Sequence, residues 1–316
     1  MPRTTQASYV LLCILLMTMP SVSDATVIVV IPKSEAIWVG ADGLRTDQRT
    51  YSNVCKVHEA YGGVLLKFGN DTDDDKKPTY STDAEVRHLV AVKKSFVEFQ
   101  QAAADLLWKQ ANETLRETVK DIETDTKSKL FDEKGTTSEG ALPSNVFRNS
   151  RIGLVFIGSE AGMLIIHQLI IEPTVVAVNT VAAEPRYRWV INKPTWAIGN
   201  SMKLTLYGPV FVRGIQDQRT IELEKRMSDK PEKMSELLPN FSNYLNTLSK
   251  SCAIGEPYTI LKITTNRLDA KRRYSPSESK RLLNTAYVEY KSPGKCPSWK
   301  ITPIPRPGSC PLMPNL

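Results

Sequence analysis

The sequence predicts an α+β fold in which antiparallel hairpins flank a helical block, and three stretches carry that reading. Thr26 to Ile31 is β-branched almost throughout, Pro32-Lys33-Ser34-Glu35 has turn chemistry, and Ala36 to Ala41 is apolar again. That is a strand, a turn and a returning strand ending at Asp42. Val86, Leu89, Val90, Phe96, Val97, Ala103, Leu106 and Leu107 recur at roughly helical spacing behind a capping box of Thr82 and Glu85. From Arg151 the pattern returns to strands, RIGLVFIG and MLIIHQLIIEP, joined by a turn at Ser159 to Gly162.

The hairpin begins where a removable leader ends. Met1 to Ser8 carries one Arg, Tyr9 to Pro20 is a short apolar run, and Ser23-Asp24-Ala25 sets small residues at the two positions a signal peptidase reads. Cleavage after Ala25 leaves Thr26 as the first mature residue, and cleavage after Ser23 is the alternative. The reading is an exported protein, secreted or periplasmic, with residues 1–25 as signal peptide, 26–265 as one domain and 266–316 as a basic, Pro-rich extension. The mature region has no apolar run near the roughly 18 residues that span a bilayer, so no membrane attachment is expected after leader removal.

Composition narrows the function classes. The 316 residues are 41% hydrophobic and 24% charged, which is ordinary for a globular chain large enough to bury a core. The net charge of +7 survives cleavage, because the leader takes away one Arg and one Asp. Apart from Lys271-Arg272-Arg273 the basic residues are dispersed and lack interleaved aromatics, which argues against a nucleic-acid face. No CxxC spacing exists and the histidines are His58, His88 and His167, so neither a metal nor another cofactor is expected. The Asp-rich loop Asn70 to Tyr80 lacks the glycine and terminal Glu of a calcium loop and reads as solvated.

Four cysteines remain in the mature chain, an even count that favours disulfides in an exported protein. Cys296 and Cys310 bracket a Pro-rich loop and form the natural pair, which leaves Cys55 and Cys252. Asn70, Asn112 and Asn240 each open an N-x-S/T sequon, relevant only in a glycosylating host.

A Thr at a free N-terminus carries a nucleophile and a base in one residue. Its α-amine titrates near pH 8, so a useful fraction is neutral at physiological pH and can take the hydroxyl proton. The hairpin returns Asp42 and Thr46 toward Thr26. Lys56, just ahead of the apolar strand Gly63 to Phe68, would sit beside both Asp42 and Thr26, and Gly69 at that strand's end would offer a backbone N–H to an oxyanion.

Thr26-Val-Ile-Val-Val, then Gly40-Ala41-Asp42-Gly43-Leu44-Arg45-Thr46, Lys56 and Phe68-Gly69 resemble the β-type proteasome subunits and their bacterial relatives. These are N-terminal nucleophile (Ntn) hydrolases. The resemblance implies a four-layer α/β/β/α sandwich, two antiparallel sheets between helix layers. It implies a threonine-type amide or peptide hydrolase, with a peptide or amide substrate and assembly into a homo-oligomer. By it Thr26 is nucleophile and base, Lys56 lowers the pKa of the Thr26 pair, Asp42 holds Lys56, Gly69 contributes to the oxyanion hole, and Thr46 aligns the substrate backbone. Trp196 to Ser201 is similar to the family's AIGSG segment, which gives Ser201 or Asn200 a place beside the Thr26 amine. The alternative there is a glycine turn at the mouth of a helix.

The chain also departs from the family. Catalytic members carry D-x-x-S-G where this sequence has Ser251-Cys252-Ala253-Ile254-Gly255, Val27 replaces the usual Thr or Ser, and the Arg of the Asp42 motif is shifted by one place. A non-catalytic secreted scaffold of the same fold therefore stands as the alternative. The Gly-Ser-Glu-Ala-Gly run at 158–162 is not a serine-hydrolase elbow, because Ile157 stands where the first glycine belongs.

Overall fold

The computed structural model describes residues 27–34, 36–47, 50–53, 56–69, 82–138, 140, 150–160, 162–179, 185–199, 205–207, 218–249, 254–255, 258–265, 283–290 and 300–301. The predicted first hairpin is present: β1 (Ile28–Pro32) runs antiparallel to β2 (Ala36–Asp42), with Ile28 opposite Ala41 and Val30 opposite Val39. The N–H of Lys33 donates to the Ala36 carbonyl at 2.8 Å and closes the turn. Two short strands follow, β3 (Leu44–Asp47) and β4 (Thr50–Asn53), then the hairpin of β5 (Val57–Ala60) and β6 (Gly63–Gly69).

The helical block is α1 (Thr82–Val92) and α2 (Phe96–Thr126). It divides at Lys93 to Ser95, so the run from Val86 to Leu107 that reads as one helical period belongs to two helices. The cause is an N-cap: Ser95 Oγ accepts the N–H of Glu98 at 3.3 Å, and Glu98 Oε2 reaches back to accept the N–H of Lys94 at 3.1 Å. Thr82, expected as a cap, is instead the first helical residue, and its buried hydroxyl donates to Gln110 Oε1 at 3.0 Å. This bond ties the start of α1 to the middle of α2.

Strands return as β7 (Ile152–Glu160) and β8 (Met163–Ile171), paired from Ile152–Ile171 through Glu160–Met163. Ser159 thus lies within a strand. There follow β9 (Thr174–Asn179), β10 (Arg186–Val190), β11 (Ala197–Ile198) and β12 (Thr205–Tyr207), then α3 (Gln218–Asp229), a 3-10 turn at Pro231–Lys233 and α4 (Met234–Ser249). Pro239 sits inside α4, just past its first turn. β13 (Tyr258–Thr265), β14 (Leu283–Tyr290) and β15 (Lys300–Ile301) complete the described elements, the last two within the stretch expected to be an extension.

Two five-stranded antiparallel sheets result, in the orders β12-β1-β2-β13-β14 and β11-β8-β7-β6-β5. Period-two alternation sorts their side chains into separate clusters. Ile28 and Val30 of β1, Ile37 and Val39 of β2 and Leu261 and Ile263 of β13 pack with Val64, Leu66, Val155 and Ile157 of the second sheet. The opposite parity, Val27, Val29, Ile31 and Ile260, packs against Leu223, Met234, Leu238, Phe241 and Leu245 of α3 and α4. Leu65, Leu154, Phe156 and Leu169 pack against Phe99, Ala103 and Leu107 of α2. Gly40 lies on the helix-facing side of β2, where a Cβ would meet Met234 Sδ at 2.5 Å and Leu238 Cδ2 at 2.9 Å, so its missing side chain lets α4 approach the sheet. No described helix is long and apolar enough to cross a membrane.

Candidate active site

β1 and β2 are in register such that the start of β1 meets the end of β2. The N–H of Asp42 donates to the Val27 carbonyl at 3.1 Å, and the N–H of Val27 donates back to Asp42 Oδ1 at 2.7 Å. The Asp42 carboxylate is therefore turned onto the backbone just ahead of β1. It is wholly buried.

Lys56 stands immediately before β5, positioned by the N–H of Lys67, which donates to its carbonyl at 3.0 Å. Its side chain crosses from the second sheet to the first and places Nζ 3.1 Å from both Oδ1 and Oδ2 of Asp42. Lys56 is 8% exposed. The pair bridges the two sheets at one end of the molecule. Ile254-Gly255, just ahead of β13, approaches the same carboxylate, and the backbone N–H of Gly255 donates to it.

These contacts act in opposite senses on the Asp42 carboxyl. Burial is the largest influence and pushes its pKa above the ordinary value, while the Lys56 ammonium and the N–H groups of Val27 and Gly255 draw it back. A buried charge with that number of partners is satisfied rather than stranded. Lys56 Nζ thus has a counter-ion fixed beside it in a buried setting.

Gly69 ends β6 opposite Ile152, two residues beyond Lys67 and thus at the same end of the second sheet as Lys56. Its φ is +95°, and a Cβ would collide with the Arg151 carbonyl oxygen and the Ile152 Cα. Only glycine fits that backbone. Thr46 lies in β3, paired with Tyr51 of β4, four residues along the chain from Asp42. Thr26, Asn200, Ser201, Cys55, Cys252, Cys296 and Cys310 lie outside the described residues. Beside Ser201, Ala197 and Ile198 pair with Gln168 and His167 of β8, and the N–H of Gly199 donates to the Ile166 carbonyl at 2.7 Å.

The structure thus brings Asp42, Lys56 and the backbone of Val27 into one contact set and adds the Gly255 N–H, which sequence reasoning did not assign. A backbone donor has no side-chain signature, so the signal for Gly255 was only its position after the departed D-x-x-S-G motif. A neighbouring polar cluster was also missed. His58 Nε2 lies 3.2 Å from Asp83 Oδ1, and Arg87 Nη2 lies 2.6 Å from Asp83 Oδ2, tying β5 to α1.

No family model matches the chain, and no curated protein matches it. Among solved structures the chain is similar to a Gly-1 mutant of Anbu from Hyphomicrobium sp. strain MC1, with a TM-score of 0.38 and 10% identity over 84% of this chain and 87% of that one.

Proposed function

We propose that the mature protein is an exported Ntn amide or peptide hydrolase of the proteasome β type, with Thr26 as nucleophile and base and with the two sheets and flanking helices forming its four-layer sandwich. The observation that carries this reading is the Asp42 carboxylate, which joins the Val27 N–H to the Lys56 ammonium. Val27 N and Lys56 Nζ share the oxygen Oδ1, so they are no farther apart than two hydrogen bonds laid end to end. Thr26 is the residue covalently attached to Val27 N.

In this reading the neutral Thr26 amine accepts the Oγ proton as Oγ attacks the substrate carbonyl carbon. The Lys56 ammonium lowers the cost of the developing alkoxide, and the Gly69 N–H receives the oxyanion. Collapse of the tetrahedral species breaks the C–N bond, and the leaving amine departs with the proton. Water then hydrolyses the Thr26 ester by the same route in reverse, with the amine again as base. Asp42 touches no reacting atom here; it positions Lys56. Thr46 aligns the substrate backbone, and Ser201 hydrogen-bonds the amine.

The same contact set also supports a second reading, a secreted scaffold that keeps Asp42 and Lys56 as an internal ion pair. Its supporting observation is that both oxygens of Asp42 are engaged and the carboxylate is wholly buried, as a structural bridge requires. Mass spectrometry of the mature N-terminus separates the two. A chain starting at Thr26 gives the nucleophile its free amine, whereas a start at Asp24 or a retained leader removes the base and supports the scaffold.

A further inference from the structure

β5 is the last strand of its sheet, and among the described residues only β6 pairs with it. The residue just ahead of it is Lys56, whose side chain leaves the sheet to reach Asp42 and whose carbonyl accepts the Lys67 N–H at 3.0 Å. Two residues on, His58 pairs with Leu65 of β6 and points away from the inter-sheet core that takes Val57, toward the helices. There its Nε2 lies 3.2 Å from Asp83 Oδ1, in the first turn of α1. His58 is 3% exposed, and its Nδ1 has no hydrogen-bond partner among the described residues. Asp83 is therefore the polar group that orients the ring.

The same carboxylate holds the other side of Lys56. Asp83 interacts by charge with Lys67 of β6, the residue whose N–H is bonded to the Lys56 carbonyl, and its Oδ2 lies 2.6 Å from Arg87 Nη2 one turn along α1. Lys67 from β6 and Arg87 from α1 are thus the charged groups that face the His58–Asp83 pair, while α2 offers the uncharged Gln110, bonded to Thr82. His58 and Lys67 flank Lys56 on the two strands, and one carboxylate draws both toward α1. Burial is the largest influence on Asp83, yet His58, Lys67 and Arg87 outweigh it and keep the carboxyl ionised below its ordinary range. Its hold on His58 is therefore an ion pair when the imidazole is protonated and a weaker hydrogen bond from a neutral ring when it is not.

We propose that His58 is a positioning residue for Lys56: through Asp83 it fixes the start of β5 against α1, and with it the reach of Lys56 Nζ to Asp42, more firmly when the imidazole carries a proton. The lever is short, since two residues of extended chain span roughly 6–7 Å. It also has little slack. Nζ lies 3.1 Å from both Asp42 oxygens, and a shift of about 1 Å at the start of β5 takes it out of hydrogen-bond range of at least one of them. The effect on the Lys56–Asp42 pair holds whatever the protein does. Its catalytic consequence rests on the hydrolase reading, in which Lys56 acts on the Thr26 alkoxide.

Nuclear magnetic resonance of the full purified chain, isotope-labelled at lysine and histidine, tests it. The Lys56 Nζ resonance, assigned by its loss in Lys56→Arg, is followed beside the His58 ring resonance from about pH 5 to about pH 8. In the wild type the two are expected to shift in step. In His58→Gln, which keeps a donor for Asp83 but takes no proton, Nζ should stay in place through that range, and in His58→Leu, which keeps neither, it should move toward the position of solvated lysines at every pH. Acylation of Thr26 by a β-lactone near pH 6 should fall about tenfold or more in His58→Leu and recover to within about threefold of wild type in His58→Gln. A Nζ resonance indifferent to the His58 titration, or unchanged in His58→Leu, overturns the proposal. Should His58→Leu not fold, wild type against His58→Gln decides alone. Coupled resonances in a wild type that is never acylated support the positioning role and count against the hydrolase reading alone, whereas equal acylation of wild type and His58→Leu does the reverse.

Discussion

Lys56 Nζ lies 3.1 Å from both carboxylate oxygens of Asp42, and that carboxylate has no exposed surface. Removing one member of such a pair leaves the other as an uncompensated buried charge. Lys56→Met is therefore expected to cost about 3–5 kcal/mol of folding stability in urea titration, whereas the double change Asp42→Leu with Lys56→Met recovers much of that loss. A single change costing about 0.5 kcal/mol, the range of a surface substitution, would mean the pair is solvated. Under the proposed mechanism neither variant retains hydrolysis.

Gly69 holds a φ of +95° with the Arg151 carbonyl oxygen against the position a Cβ would take. Gly69→Ala is expected to cost about 1–3 kcal/mol from backbone strain, with the close contact adding to it. Comparison of urea midpoints at unchanged slope checks this, and an unchanged midpoint would place the residue in an unstrained conformation.

Acid sensitivity follows from Asp83. Burial alone would raise its pKa, but the hydrogen bond and charge of His58, followed by Lys67 and Arg87, hold it below the ordinary 3.8. The unfolded chain then binds the Asp83 proton at higher pH than the folded one, so the stabilisation is present above about 3.8 and is lost as pH falls through the lowered folded value. Asp83→Asn should therefore destabilise the protein more near pH 6 than near pH 3. Equal loss at both, read from paired denaturation curves, would contradict the assignment.

The α1–α2 break rests on the Ser95 hydroxyl, which accepts the Glu98 N–H at 3.3 Å. Ser95→Ala is expected to cost about 1 kcal/mol and Ser95→Gly only a few tenths. Thermal unfolding of the two variants side by side distinguishes loss of a cap from a general effect of truncation.

The first hairpin was legible because Val27 to Ile31 alternates between two buried faces and Pro32 to Glu35 has turn residues, so pattern and turn agreed. The position of Asp42 at the hairpin's end followed from that register. The helix break was hidden because apolar residues on either side of Ser95 continue a helical period, and only the cap, a local hydrogen-bond feature, interrupts it. β9 and β10 went unassigned because β9 is apolar on both faces and buries neither, leaving no alternation to read. The reach of Lys56 across two sheets and the Gly255 N–H on Asp42 are tertiary facts, set by how β5 and β13 are placed.

Under the proposed function Thr26 is a free, activated N-terminal nucleophile. That role is tested by peptide mapping of the purified protein by mass spectrometry after incubation with a β-lactone, an electrophile that acylates N-terminal threonine hydroxyls. The expected result is a mature chain beginning at Thr26, one acyl group per chain on that residue, and loss of the adduct in Lys56→Ala. A chain beginning elsewhere, or an unmodified Thr26 at the N-terminus, would contradict it.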